Sequence, residues 1–118
     1  MAKLENRINN GPLIIALDLG TSSARAVLFD STGRPLPEMN TQKEIQVRTA
    51  VDGAMEIDAR EVLSVLYTCL DSLLQKAGDL CREIRGVAMC MFVSNVLGLG
   101  ADDQPITPVY TYADTRPA

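Results

Sequence analysis

The chain has 118 residues, about one domain's worth, and its 47% hydrophobic against 22% charged composition excludes a disordered polymer. Fifteen acidic against eleven basic residues leave a net charge of −4 with no basic run, which excludes a nucleic-acid or anionic-membrane surface. With no histidine, Ser-His-Asp catalysis, Cys-His catalysis and mixed Cys/His metal sites are excluded within the chain, and carboxylates are left for any proton transfer.

Residues 1–12 are polar, lack an apolar signal core and predict a flexible N-terminus, so the fold is expected to start at Leu13. Leu13 to Asp18 is a continuous apolar run, as for a strand buried on both faces, and Ala24 to Asp30 is a second. Leu-Gly-Thr-Ser-Ser joins the two as a hairpin. The stretch Asp30 to Gly33 has turn chemistry, with Asp first and Gly fourth. A third strand is expected over Lys43 to Ala50, where Ile45 and Val47 alternate with polar neighbours as on a half-exposed edge.

One long helix follows. Asp58 can cap it, Glu61 can reach back to close a capping box, and Gly78 can end it, leaving nineteen residues between. Val62, Leu66, Leu70, Leu73, Leu74 and Ala77 recur at helical spacing and should lie on the sheet, with Tyr67 and Cys69 as core or rim. Further strands are expected at Arg85 to Met91, Asn95 to Leu99 and Val109 to Tyr112. Val87 to Ala101 is apolar but too short for the ~20 residues of a membrane span, and reads as two buried strands. Cys69, Cys81 and Cys90 form no CxxC pair and point to reduced thiols in a cytoplasm. The order β-β-β-α-β, then a hairpin, predicts an α/β mixed sheet with the helix on one face.

The cluster between the first two strands carries the chemistry. Asp18 ends an apolar strand, where open α/β sheets bind ligands, and Gly20 permits a tight turn. Thr21, Ser22 and Ser23 supply hydroxyls and N–H groups for phosphate oxygens, and Arg25 a planar cation. A lone carboxylate beside them suits Mg²⁺, which keeps waters. The same residues also make an ordinary turn with Arg25 solvated, and there is no Walker-type P-loop to decide between the two readings.

The stretch "ALDLGTSSARAVLFDSTGRPL", Ala16 to Leu36, resembles the N-terminal phosphate motif of the FGGY carbohydrate kinases, in the actin, hexokinase and Hsp70 ATPase superfamily. "IRGVAMCMFVSNVLGLGADDQPITPVYTYADTRPA", Ile84 to Ala118, is similar to that family's run from a strand through a substrate loop to a W-x-D-T-R-like end, and "TYADTR" looks closest to the gluconate and xylulose kinase branch. The resemblance implies an RNase H-like fold, with residues 13–118 as the N-terminal part of the first kinase domain, itself incomplete. It implies ATP and Mg²⁺ as cofactors, with Asp18 placing the metal and Gly20, Thr21, Ser22, Ser23 and Arg25 at the phosphates. A sugar, polyol or sugar acid would be the substrate, at Ser94, Tyr112, Asp114 and Arg116.

Two departures stand out. Phe92, Val93 and Ser94 replace a Gln-x-His-like loop, so the polar roles of that loop do not transfer, and Tyr112 stands where the family usually has tryptophan. The catalytic aspartate is expected beyond Ala118, since Asp102 and Asp103 read as a solvated turn. The isolated chain is therefore expected to be inactive, with self-association through an uncovered sheet face. The alternative is a non-catalytic fragment or nucleotide-binding half-module that needs a partner chain.

Overall fold

The structure is a computed structural model that describes residues 12–117, so the expected flexible N-terminus lies, but for Pro12, outside the described residues. A four-stranded sheet of order β3-β2-β1-β6 is built from β1 (Leu13–Leu19), β2 (Ser23–Phe29), β3 (Pro35–Glu44) and β6 (Ile84–Met91). The strands β1, β2 and β3 meander antiparallel, while β6 returns parallel to β1. A parallel return needs a crossover, and α1 (Ala59–Ala77) provides it. A second antiparallel sheet, order β4-β5-β7, comprises β4 (Val47–Thr49), β5 (Met55–Ile57) and β7 (Val109–Tyr110).

The helix forms as its caps dictate. Asp58 Oδ1 accepts from the Arg60 and Glu61 N–H groups at 2.8 and 3.2 Å, satisfying two orphan donors, and Gly78 ends the helix at a positive φ of 53°. Glu61 does not close the expected capping box. Its Oε1 accepts from the Gln46 N–H instead, because the chain between β3 and β4 brings that donor closer.

Along β1, Leu13, Ile15, Leu17 and Leu19 are buried while Ile14 and Ala16 are half-buried and Asp18 is exposed. The run is therefore buried on one face rather than two, because α1 packs over β2 and β3 on one side and no described layer covers the other. Leu28, Leu73 and Cys69 are fully buried between sheet and helix. Each buried leucine stabilises the fold by about 1.5–3 kcal/mol. Cys69 donates its thiol to the Ala24 carbonyl and Thr41 its hydroxyl to the Cys69 carbonyl, so the helix is bonded to the sheet as well as packed on it.

Three expected strands are corrected. The third runs over Pro35–Glu44, not Lys43 to Ala50, and tolerates Pro35 and Pro37 because it is the sheet edge. Asn95 to Leu99 forms no ladder, only the isolated bridges Val96–Tyr110 and Leu99–Pro105, and the last strand stops at Tyr110. Val87 to Ala101 is not buried either: Val87, Met89, Val93 and Val96 are 48–77% exposed. In register, Val87, Met89 and Met91 stand beside Ile15, Leu17 and Leu19 on the helix side of the sheet, past the helix's reach.

Candidate functional site

The site forms where the C-terminal ends of the parallel strands β1 and β6 lie side by side, the edge at which open α/β sheets take ligands. Gly20 closes the β1–β2 hairpin by donating its N–H to the Ser23 carbonyl at 2.8 Å. In the same ladder Asp18 pairs with Arg25, Arg25 pairs with Gln42 of β3, and Asp18 has Cys90 of β6 on its other side. Cys90, Asp18, Arg25 and Gln42 thus form one row on the sheet face opposite α1.

Within that row Gln42 Nε2 donates to Ser23 Oγ at 3.1 Å, and Arg25 Nη2 reaches Gln42 Oε1 at 3.5 Å. The Asp18 carboxylate forms no ion pair or hydrogen bond among the described residues, and neither do the Thr21 and Ser22 hydroxyls. Asp18, Ser22 and Arg25 are exposed, while Gly20, Thr21 and Ser23 are half-buried. An unpaired carboxylate beside unpaired hydroxyls and a guanidinium suits Mg²⁺ and phosphate: the cation takes one or two carboxylates and the anion takes the donors. No cluster of three metal-ligating side chains exists among the described residues, so a cation at Asp18 would keep most of its coordination sites for water and phosphate.

The loop after β6 is tied to this hairpin, since the Phe92 N–H donates to the Leu19 carbonyl at 2.7 Å. Phe92 packs on the core, while Val93 and Ser94 are exposed, Ser94 at a left-handed φ of 57°. Asn95 then bridges two segments: its Nδ2 donates to the Val93 carbonyl and its Oδ1 accepts from the Tyr112 N–H at 3.0 Å. The Tyr112 side of the candidate site is therefore bonded to the Phe92–Asn95 loop. Gln42 and Asn95 were missed from sequence, since strand register and loop closure alone bring them in.

Asp114 and Arg116 are not delivered to the hairpin row. The Asp114 side chain, 4% exposed, accepts from the Met55 N–H and from Arg116, whose other partner is Glu56 at 2.9 Å. Hydrogen bonds from Arg116 hold the Asp114 carboxyl well below the ordinary carboxylate range despite its desolvation, and Asp114 and Glu56 push Arg116 upward in turn. Asp102 and Asp103 lie in the expected exposed turn, where Asp102 accepts from the Gln104 N–H. A cavity of about 400 Å³ between Arg48, Arg60 and Pro105 to Pro108 contains none of the expected site residues.

Residues 13–118 match the N-terminal domain of the FGGY family of carbohydrate kinases. Among curated relatives, an autoinducer-2 kinase from Salmonella choleraesuis is 29% identical over 106 residues, covering 90% of this chain and 20% of the relative. A glycerol kinase from Acinetobacter baylyi is 32% identical over 76 residues, covering 64% of the chain and 15% of the relative. The chain spans about a fifth of the length of the curated relatives it matches. Among solved structures, a xylulose kinase from Brucella ovis superposes with a TM-score of 0.81 at 25% identity, covering 88% of this chain and 22% of that one. A gluconate kinase from Lactobacillus acidophilus follows at 0.77 and 25%, covering 87% and 20%. The mixed sheet is that of sugar kinases with the actin-like ATPase fold, and the chain is a part of that domain.

Proposed function

We propose a function on one established premise: this chain belongs to the FGGY family of carbohydrate kinases, whose N-terminal domain matches residues 13–118. The chain supplies the first phosphate-binding hairpin and part of the sugar pocket of an ATP-dependent kinase acting on a sugar, polyol or sugar acid. The observation that carries this reading is the unpaired Asp18 beside Arg25 at the open end of β1, next to the hydroxyls of Thr21 and Ser22.

In this reading the hydroxyls of Thr21, Ser22 and Ser23 and the loop N–H groups bind phosphate oxygens, Arg25 neutralises their charge, and Gln42 orients Ser23 and Arg25. Asp18 is the residue that would hold Mg²⁺, and the ion, when bound, would supply charge neutralisation at the phosphates. Tyr112 and Ser94 line the sugar side, with Phe92 and Val93 making that wall less polar. Asp114 and Arg116 serve the wall from behind. A general base must come within hydrogen-bond reach of the attacking hydroxyl, and Asp102, Asp103 and Asp114 are each committed to a turn or an ion pair. This reading therefore assigns the 118 residues a binding role and none of these three carboxylates the role of general base.

Val87, Met89 and Met91, exposed on the outer strand β6, support self-association of the isolated chain or docking of a complementing chain. Three cysteines without a disulfide and a nucleotide substrate favour the cytoplasm, and no described helix is long and apolar enough to cross a membrane.

An amide-resolved NMR titration with Mg-ATP tests the reading. Shifts confined to residues 19–25 and 42, weakened in Asp18→Asn, are expected; a well-dispersed spectrum that does not respond at millimolar nucleotide would overturn phosphate binding by this chain.

A further inference from the structure

Tyr112 is 69% exposed, so packing does little to fix its ring, and its place depends on the backbone that carries it. That backbone is bonded on three sides. Thr111 donates both its N–H and its hydroxyl to the Met55 carbonyl, at 3.1 and 2.7 Å. Thr115 donates its N–H to the Gly53 carbonyl, and Asp114 accepts from the Met55 N–H at 3.1 Å. The Asn95 amide holds the Tyr112 N–H itself.

Charged side chains add a second tie between this segment and β5. The Arg116 guanidinium meets Asp114 through Nε and Nη2 at 3.0 and 2.6 Å, meets Glu56 Oε2 at 2.9 Å, and lies 5.5 Å from the centre of the Tyr110 ring. Two charge-assisted contacts to one planar cation, with a ring beneath it, define a geometry that a lysine cannot reproduce. Glu56 lies 60 residues from Arg116 in sequence, on the middle strand of the small sheet, and belongs to no motif. The donors of Arg116 that face Asp114 and Glu56 are spent on them and are not offered to a substrate carboxylate.

We infer that Glu56, Arg116 and Asp114 form a positioning clamp that fixes the Thr111–Thr115 loop and thereby presents Tyr112 as the sugar-facing wall, without touching substrate themselves. The presentation of Tyr112 to a sugar rests on the kinase reading above; the clamp does not.

The two are separated in the full 118-residue chain labelled with 3-fluorotyrosine, whose three ¹⁹F signals report Tyr67, Tyr110 and Tyr112. Glu56→Gln is expected to move the Tyr110 and Tyr112 signals and to raise hydrogen exchange at the Tyr112 and Thr115 amides about tenfold, as local opening does. Tyr67, on the exposed face of α1, and the Ile15 and Leu28 amides should not change. Arg116→Lys, which keeps the charge and loses the fork, should act in the same direction. Unchanged Tyr112 and Thr115 in both variants, or equal changes at Tyr67 and in the core, would overturn the clamp, the second by reducing it to general stability. Titrating the unsubstituted chain with gluconate and xylulose tests the other half: a shifted Tyr112 signal supports its sugar-facing role, and an unmoved one removes that role and leaves the clamp standing.

Discussion

Asp18 and Arg25 are direct cross-strand partners in the β1–β2 ladder, yet their side chains do not close into an ion pair within 4 Å. Opposite charges in that position commonly pair for a few tenths of a kcal/mol. Held apart at the open end of β1, each instead remains available to a ligand of the opposite sign, the carboxylate to a cation and the guanidinium to a phosphate.

Removing Arg25 takes away a charged donor and should weaken Mg-ATP binding about 10- to 100-fold, the factor expected for loss of a charge-assisted hydrogen bond. Asp18→Asn should instead lower the dependence of binding on Mg²⁺. Isothermal titration with and without the metal distinguishes the two, and equal affinity of Arg25→Ala and the unsubstituted chain would count against a phosphate role for Arg25.

Leu73 is fully buried against the sheet while Leu63, on the same helix, is 49% exposed. Leu73→Ala should cost about 2–5 kcal/mol, whereas Leu63→Ala should stay within about 0.5 kcal/mol. Urea unfolding of the pair measures the contrast, and similar midpoints would mean that α1 does not pack as described.

Gly53 and Gly33 both sit at positive φ, 91° and 76°, but a Cβ on Gly53 would run into the Thr115 hydroxyl, whereas one on Gly33 meets nothing within 4 Å. Gly33→Ala should therefore cost only backbone strain, about 1 kcal/mol. Gly53→Ala adds the clash and should displace Thr115, raising exchange at its amide. Thermal melting and hydrogen exchange read the two effects separately.

The folded chain holds the Asp114 and Asp58 carboxyls below their ordinary value of 3.8, Asp114 by the Arg116 hydrogen bonds and Asp58 by the Glu61 and Arg60 N–H groups. Between the lowered values and 3.8 the unfolded chain binds more protons, so stability rises with pH there. Their contribution is complete above that ordinary value and is lost as the pH falls through the folded one. Urea midpoints from pH 2 to 6 should show a declining acid limb that Asp58→Asn and Asp114→Asn each make shallower.

Val87, Met89 and Met91 form an apolar stripe on the outer strand of the sheet. Val87→Lys with Met89→Lys should reduce self-association of the chain, because edge lysines oppose strand pairing. Light scattering across a concentration series is the measurement; an isolated chain that stays monomeric at high concentration would remove the proposed surface.

The local devices of the fold are readable along the chain. The Asp58 cap, the Gly78 stop, the stripe from Val62 to Ala77 and the Asp30–Gly33 turn appear where the residues demand, because each rests on interactions a few residues apart. The hairpin cluster is equally legible, since Asp18 to Arg25 lie within one turn and its two strands. What sequence cannot supply is any choice between equally satisfactory partners. Pro35 and Pro37 obscured a strand that only an edge position permits, and three short segments became a second sheet because residues 109–110 returned to pair with β5. Asp114 and Arg116 carry the charges of a binding pair, and the tertiary structure spent them on each other and on Glu56, because burying a carboxylate requires partners and the fold brought those within reach.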